Sequence, residues 1–121
     1  MSIGDWCKFN DLVYINATSG VYIGDDVTLS RGASIISTGY DLDEFFTTGQ
    51  KVHFSNRSIR IGNHCWIGAG AVILPGIQIS GEYVVVGAGA VVTKDINESR
   101  VIVAGNPAKI VKRMDESNAK C

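Results

Sequence analysis

The run Ile61-Gly62-Asn63-His64-Cys65-Trp66-Ile67-Gly68-Ala69-Gly70-Ala71-Val72-Ile73-Leu74-Pro75-Gly76 decides the fold. Aliphatic residues return at every sixth position, Ile61, Ile67, Ile73 and Ile79, and Gly62 and Gly68 directly follow the first two. An ordinary strand alternates with a period of two, so this is self-similarity of another kind. Four residues after each anchor stands Cys65, Ala71, Ile77 or Tyr83, mostly small or apolar, as an interior with limited room requires. Tyr83 is the misfit. The next units begin at Val86 and Val92, seven residues after Ile79 and then six, so one residue is inserted near Ser80–Tyr83 and that stretch reads as a bulged corner.

Upstream the pattern continues through Ile3, Phe9, Ile15 and Val21, then resumes in a new register at Ile23, Leu29 and Ile35, a slip of two around Gly20. Cys7, Val13, Ser19, Val27 and Ala33 fill the second positions; Cys7 and Cys65 therefore read as small interior residues rather than reactive thiols. One apolar anchor per six residues predicts an all-β solenoid in which each short strand packs on its equivalent in the next coil, with about 18 residues per coil. Residues 3–38 hold about two coils and residues 59–104 about two and a half. So few coils leave open ends and flat sides, which predicts oligomerisation.

A chain of 121 residues is read as a single domain, 1–121. Hydrophobic residues make up 45% and charged residues 19%, too apolar a balance for disorder. A net charge of -1 points to no nucleic-acid partner and no anionic membrane. The chain has no apolar run near the roughly 20 residues a bilayer needs, and no basic-then-apolar leader. Three widely spaced cysteines, Cys7, Cys65 and Cys121, without a C-x-x-C, suit a reducing cytoplasm better than a disulfide framework or a thiolate metal site.

Two segments leave the repeat. Residues 39–58 carry Tyr40, Asp41, Asp43, Glu44, Phe45, Phe46 and His53 without an anchor, and are expected as a loop excursion of the functional kind. Gly105-Asn106-Pro107-Ala108 reads as a stop, with Pro107 in the first turn of a short helix over about 107–118 whose apolar face holds Ile110, Val111 and Met114.

The run from Ile61 to Gly76, with Val86-Gly87-Ala88-Gly89-Ala90-Val91-Val92-Thr93-Lys94-Asp95 and Ala104-Gly105-Asn106-Pro107-Ala108-Lys109, resembles the hexapeptide-repeat acyltransferases, in the branch of galactoside and maltose O-acetyltransferases. Tyr14-Ile15-Asn16 and Ile23-Gly24-Asp25-Asp26 match it more loosely. The resemblance implies a left-handed parallel β-helix, a homotrimer, and acetyl transfer from acetyl-CoA at clefts between subunits. The left hand enters through the family alone, since the general rule favours right-handed crossovers. The segment ahead of the first coil is shorter than members of that family usually carry.

Transfer of an acetyl group from a thioester to a sugar hydroxyl needs a base, because a neutral alcohol must lose its proton as the bond forms, and histidine is the usual choice near neutral pH. The resemblance places that histidine after a Thr-Gly pair, where this chain has Thr38-Gly39-Tyr40. Phenols ordinarily ionise near pH 10 and make poor bases at pH 7 unless a cation or hydrogen bonds intervene. His53, at the far end of the same loop, is the candidate to replace the base, against the plainer reading of an exposed loop histidine. His64 follows Asn63 in a corner and reads as a turn residue.

Asn16 matches the family's acceptor-binding asparagine, or else belongs to an asparagine ladder or turn inside the solenoid. Asp41 and Asp43 are candidate hydroxyl acceptors, or solvated loop charges. On the donor side, Gly68-Ala69-Gly70 and Gly87-Ala88-Gly89 leave room for pantetheine along a coil edge, and their backbone N–H groups suit the oxyanion. Thr93, Lys94, Lys109, Lys112 and Arg113 stand where the resemblance puts the CoA phosphates. No metal is expected. Beside a saccharide O-acetyltransferase, three readings stay open: a catalytically impaired CoA- or carbohydrate-binding homotrimer, an N-acyltransferase of an amino sugar, and a zinc trimer like the γ-class carbonic anhydrases. The last would need shared residues, because the chain has only His53 and His64.

Overall fold

The computed structural model describes residues 1–54 and 56–114. Its strands come in threes. β1 (Ser2–Ile3), β2 (Lys8–Phe9) and β3 (Tyr14–Asn16) make a first coil, and β4 (Val21–Ile23), β5 (Thr28–Leu29) and β6 (Ser34–Ile36) a second. β7 (Ile59–Ile61), β8 (Trp66–Ile67) and β9 (Val72–Ile73) make the third, and β10 (Gln78–Ile79), β11 (Val85–Val86) and β12 (Val91–Val92) the fourth. Each strand hydrogen-bonds in parallel to its equivalents in the coils before and after, giving three sheets ordered β1-β4-β7-β10, β2-β5-β8-β11 and β3-β6-β9-β12.

The register confirms the six-residue reading anchor by anchor. Ile23 pairs with Ile61 and Ile61 with Ile79, Leu29 with Ile67 and Ile67 with Val86, Ile35 with Ile73 and Ile73 with Val92. These stacked side chains are buried in one hydrophobic cluster that runs from Val21 to Val103, and a fully buried Val, Leu or Ile contributes about 1.5–3 kcal/mol. Ile3 and Phe9 belong to the same rows but stay exposed, because the first coil has a described neighbour on one side only. The two-residue slip is the turn between Asn16 and Val21, where the Gly20 N–H donates to Ala17 O at 2.9 Å. The inserted residue explains Tyr83: it is pushed outward with φ 55°, and Val84, fully buried, takes its interior place.

Cys7 and Cys65 sit at interior positions, Cys7 half-buried and Cys65 buried. Burial pushes the Cys65 thiol above its ordinary range, so the nucleophilic thiolate is suppressed. Brief alkylation of the native protein near pH 8 is expected to leave Cys65 unmodified until denaturant is added; modification at the rate of an unfolded control would show that the corner opens.

Two regions depart from the sequence reading. The chain does leave the stack between β6 and β7, but the excursion carries a helix, α1 (Leu42–Thr48). Asp41 caps it, its Oδ1 accepting from the Glu44 N–H at 3.2 Å, and Gly49 ends it at φ 76°. Such cap-and-stop residues are a helix signature. No residue of α1 is buried, and Leu42 and Phe46 lie open. The helix expected over 107–118 is not formed in its described part. β13 (Val101–Ala104) extends the second sheet in parallel, the chain turns at 105–108, and β14 (Lys109–Arg113) comes back antiparallel, pairing Ala104 with Lys109 and Val103 with Ile110. The β13 edge offers unpaired backbone groups, and the β-branched Ile110 and Val111 favour a strand there over a short isolated helix. Residues 115–118 of the expected helix lie outside the described residues. No helix among the described residues is long and apolar enough to cross a membrane.

Candidate active site

The excursion leaves the stack at the edge between the third and first sheets, and its base is tied down from several directions. Ser37 is fully buried; its Oγ donates to Asn16 O at 2.8 Å and accepts from the Ser19 N–H at 3.1 Å. The outgoing and returning chains then pair antiparallel. Tyr40 stands opposite His53, the Asp41 N–H donates to Val52 O at 2.8 Å, and the Phe54 N–H to Gly39 O at 3.0 Å. The Arg57 guanidinium lies 4.4 Å over the Phe54 ring and steadies the return.

This pairing brings together the two residues proposed for catalysis. The Tyr40 and His53 rings lie 4.8 Å apart between centroids at 44°, and Thr38 Oγ1 lies 3.2 Å from His53 Nδ1. An imidazole thus stands one cross-strand step from the position where the resemblance expects it. In the sequence Thr38 is only part of the Thr-Gly pair; its contact with His53 crosses the loop, which spacing does not reveal.

The acceptor candidates fare differently. Asn16 pairs with Ile36 at the same edge, yet its Oδ1 accepts from the Thr18 N–H at 3.0 Å and the Thr18 hydroxyl at 2.7 Å. Its Nδ2 donates to Tyr14 Oη at 3.3 Å. The side chain therefore builds the extra turn between the first two coils. Asp41 is the helix cap, and Asp43 lies exposed in the first turn of α1.

The glycine corners lie on a different edge, between the second and third sheets. Gly32, Gly70 and Gly89 stack there with φ of 73°, 67° and 70°, a conformation glycine adopts without cost. Their amides serve the stack: Gly70 N–H donates to Arg31 O at 2.9 Å and Gly89 N–H to Ala69 O at 2.8 Å. No heavy atom outside the chain neighbours lies within 4 Å of a Cβ placed at Gly70 or Gly89, so the ridge is smooth and open. Thr93 and Lys94 follow β12, on the same edge as the excursion. Lys94 borders a hollow of about 230 Å³ with Asp95, Glu98 and Ile110. Arg113 is not free: its Nε and Nη2 donate to the two Glu98 carboxylate oxygens at 2.7 and 3.1 Å. That bond holds the Glu98 carboxyl below its ordinary range and the guanidinium above its own.

His64 lies on the third edge, where Trp6, Asp26, His64, Tyr83 and Arg100 all have positive φ, so it is a turn residue. Its Nδ1 meets Asp26 Oδ2 at 2.9 Å, its ring stacks on Tyr83 at 4.6 Å and 14°, and the Arg100 guanidinium also lies over the Tyr83 ring, at 4.7 Å. Among the described residues no group of three His, Cys, Asp or Glu is placed to hold a metal ion.

Residues 58–94 match the sequence pattern of the bacterial transferase hexapeptide (six repeats). Galactoside O-acetyltransferase of Escherichia coli K12 is 37% identical over 97 residues, 79% of this chain and 45% of that protein. A hexapeptide-repeat acetyltransferase of Vibrio cholerae superposes with a TM-score of 0.82 at 28% identity, over 94% of this chain and 62% of its own. A galactoside acetyltransferase in complex with coenzyme A superposes with a TM-score of 0.74 at 26% identity, over 97% and 62%. The chain spans about half the length of the relatives it matches in sequence. Matched pattern, register and superposition agree: the chain carries the bacterial transferase hexapeptide repeat and is built like the hexapeptide-repeat acetyltransferases.

Proposed function

We propose that this chain transfers an acetyl group from acetyl-CoA to the hydroxyl of a saccharide or similar small acceptor, as a single-domain, left-handed parallel β-helix that assembles into a cytoplasmic homotrimer. The observation that carries the reading is the pairing of Tyr40 with His53, which supplies an imidazole beside the position where the family's base belongs. His53 takes the acceptor's proton as its oxygen attacks the thioester carbonyl, and returns it to the leaving thiolate. The carbonyl oxygen gathers charge in that step, and a corner amide offers it a donor.

The assembly follows from where the parts lie. The imidazole and the glycine ridge occupy different edges of one coil, so a second copy must set its ridge against the first copy's excursion to complete a site. The open apolar residues of α1, Leu42 and Phe46, are suited to cover by that neighbour. A binding-only trimer draws its support from Tyr40 itself.

Isothermal titration with acetyl-CoA tests the donor side, and saturable binding at micromolar to millimolar concentrations is expected. Absence of heat at millimolar acetyl-CoA overturns the reading. Lys109, exposed on β14, is free to meet phosphates, whereas Arg113 is engaged by Glu98. Lys109→Ala is therefore expected to weaken acetyl-CoA several-fold, and Arg113→Ala by less than about two-fold, since an exposed phosphate contact contributes about 1 kcal/mol or less. The reverse order would move the phosphate site to Arg113.

A further inference from the structure

We infer that Thr38 is the positioning residue for His53: its hydroxyl accepts a hydrogen bond from Nδ1–H, which leaves Nε2 as the unprotonated nitrogen that takes the acceptor's proton. The inference deepens the proposed function and rests on His53 being the base.

Thr38 is well placed to hold an imidazole still. It follows Ser37, which is fully buried and bonded to the turn between the first two coils, and it precedes Gly39, whose carbonyl accepts from the Phe54 N–H at 3.0 Å. Its Oγ1 therefore projects from backbone fixed on both sides. His53 is fixed in turn by the pairing with Tyr40, whose ring stands 4.8 Å from the imidazole and limits its rotation. The 3.2 Å contact between Thr38 Oγ1 and Nδ1 then decides the chemistry, because the bond made by one ring nitrogen sets the protonation of the other. A threonine hydroxyl can donate or accept. Only the accepting arrangement leaves a lone pair on Nε2.

The proton count closes. The acceptor's O–H proton passes to Nε2 as the new C–O bond forms; the tetrahedral intermediate collapses with cleavage of the C–S bond, and Nε2 gives its proton to the thiolate. Thr38 exchanges no proton, and its oxygen holds the imidazolium through Nδ1–H in between. Outer contacts of this kind orient a histidine whose other nitrogen does the work.

The test uses the full chain labelled with nitrogen-15 at histidine. Ring nitrogens are read by NMR at about pH 8.5, where an ordinary imidazole is neutral, and the His53 signals are identified by their loss in His53→Gln. Wild type and Thr38→Ser are expected to carry the proton on Nδ1, and Thr38→Val on Nε2. In turnover, Thr38→Val is expected to lower kcat about 10-fold or more with KM for the acceptor little changed, and Thr38→Ser to restore it. A wild-type imidazole protonated on Nε2 overturns the inference, as does a Thr38→Val protein with an unchanged tautomer and kcat. Full activity in His53→Gln overturns the reading of His53 as base and this inference with it. The tautomer measurement needs no substrate, so it judges Thr38 separately from that reading.

Discussion

His53→Ala is expected to lower acetyl transfer by about 100-fold or more while leaving acetyl-CoA binding intact, because a positioned general base contributes roughly 10²–10⁴-fold. The side chain lies on the excursion, away from the glycine ridge of its own coil, and it brings a base rather than a donor contact to the site that a neighbour's ridge completes. Tyr40→Phe separates the two partners: a phenol that ordinarily ionises near pH 10 is a weak base at neutral pH, and losing its hydroxyl is expected to cost less than about 10-fold. Tyr40→His places a second imidazole across from the first and is expected to raise turnover if that position faces the acceptor. Unchanged turnover in His53→Ala would move the base to Tyr40 or to the acidic residues of the excursion. Loss of acetyl-CoA binding in the same variant would show that His53 holds the donor, against its assignment as base alone.

The fold was legible because its information is repeated. Each of Ile61, Ile67, Ile73 and Ile79 is weak evidence alone, but a stacked coil imposes the same demand on every rung, and even the irregularities at Gly20 and Tyr83 kept their place in the count. What was missed lies outside the repeat. Asp41 with Glu44 three residues later and Gly49 beyond spell a capped helix, a local signal independent of the six-residue period that identifies the coils. The helix expected after Pro107 failed because Ile110, Val111 and Met114 fit a helical face only if nothing else competes, and the open edge of β13 does compete. At the site, His53 was identifiable by chemistry and loop membership. Its pairing with Tyr40, its contact with Thr38 and the engagement of Arg113 by Glu98 depend on how a hairpin folds back and on which edge strand returns. A six-residue period is silent on both.

The same stacking makes Gly62 a position where a very small change is expected to do large damage. A Cβ there would press on the carbonyl oxygen of Gly81 in the next coil and come within 3.1 Å of Ile79 O. These are backbone atoms, so no side chain can swing aside. The third and fourth coils would have to part, loosening the bonds from the Gly62 N–H to Ile79 O at 2.8 Å and from the Trp66 N–H to Val84 O at 2.9 Å. Overpacking typically costs about 1–3 kcal/mol, and each loosened bond adds about 0.5–1.5 kcal/mol. Gly62→Ala is therefore expected to lose about 2–6 kcal/mol, a large part of the roughly 5–15 kcal/mol that holds a domain folded. Gly49→Ala is the control: Gly49 has φ 76° but no atom within 4 Å of the added methyl, so only backbone strain of about 1–2 kcal/mol applies. Urea unfolding of the two variants separates close approach from conformational strain, since both add the same methyl group. Equal midpoints would mean that spreading the coils costs no more than the backbone strain at Gly49. A stacked structure whose every rung bears on the next does not have that freedom, and for the same reason the damage at Gly62 should appear as cooperative loss of the whole stack rather than local fraying.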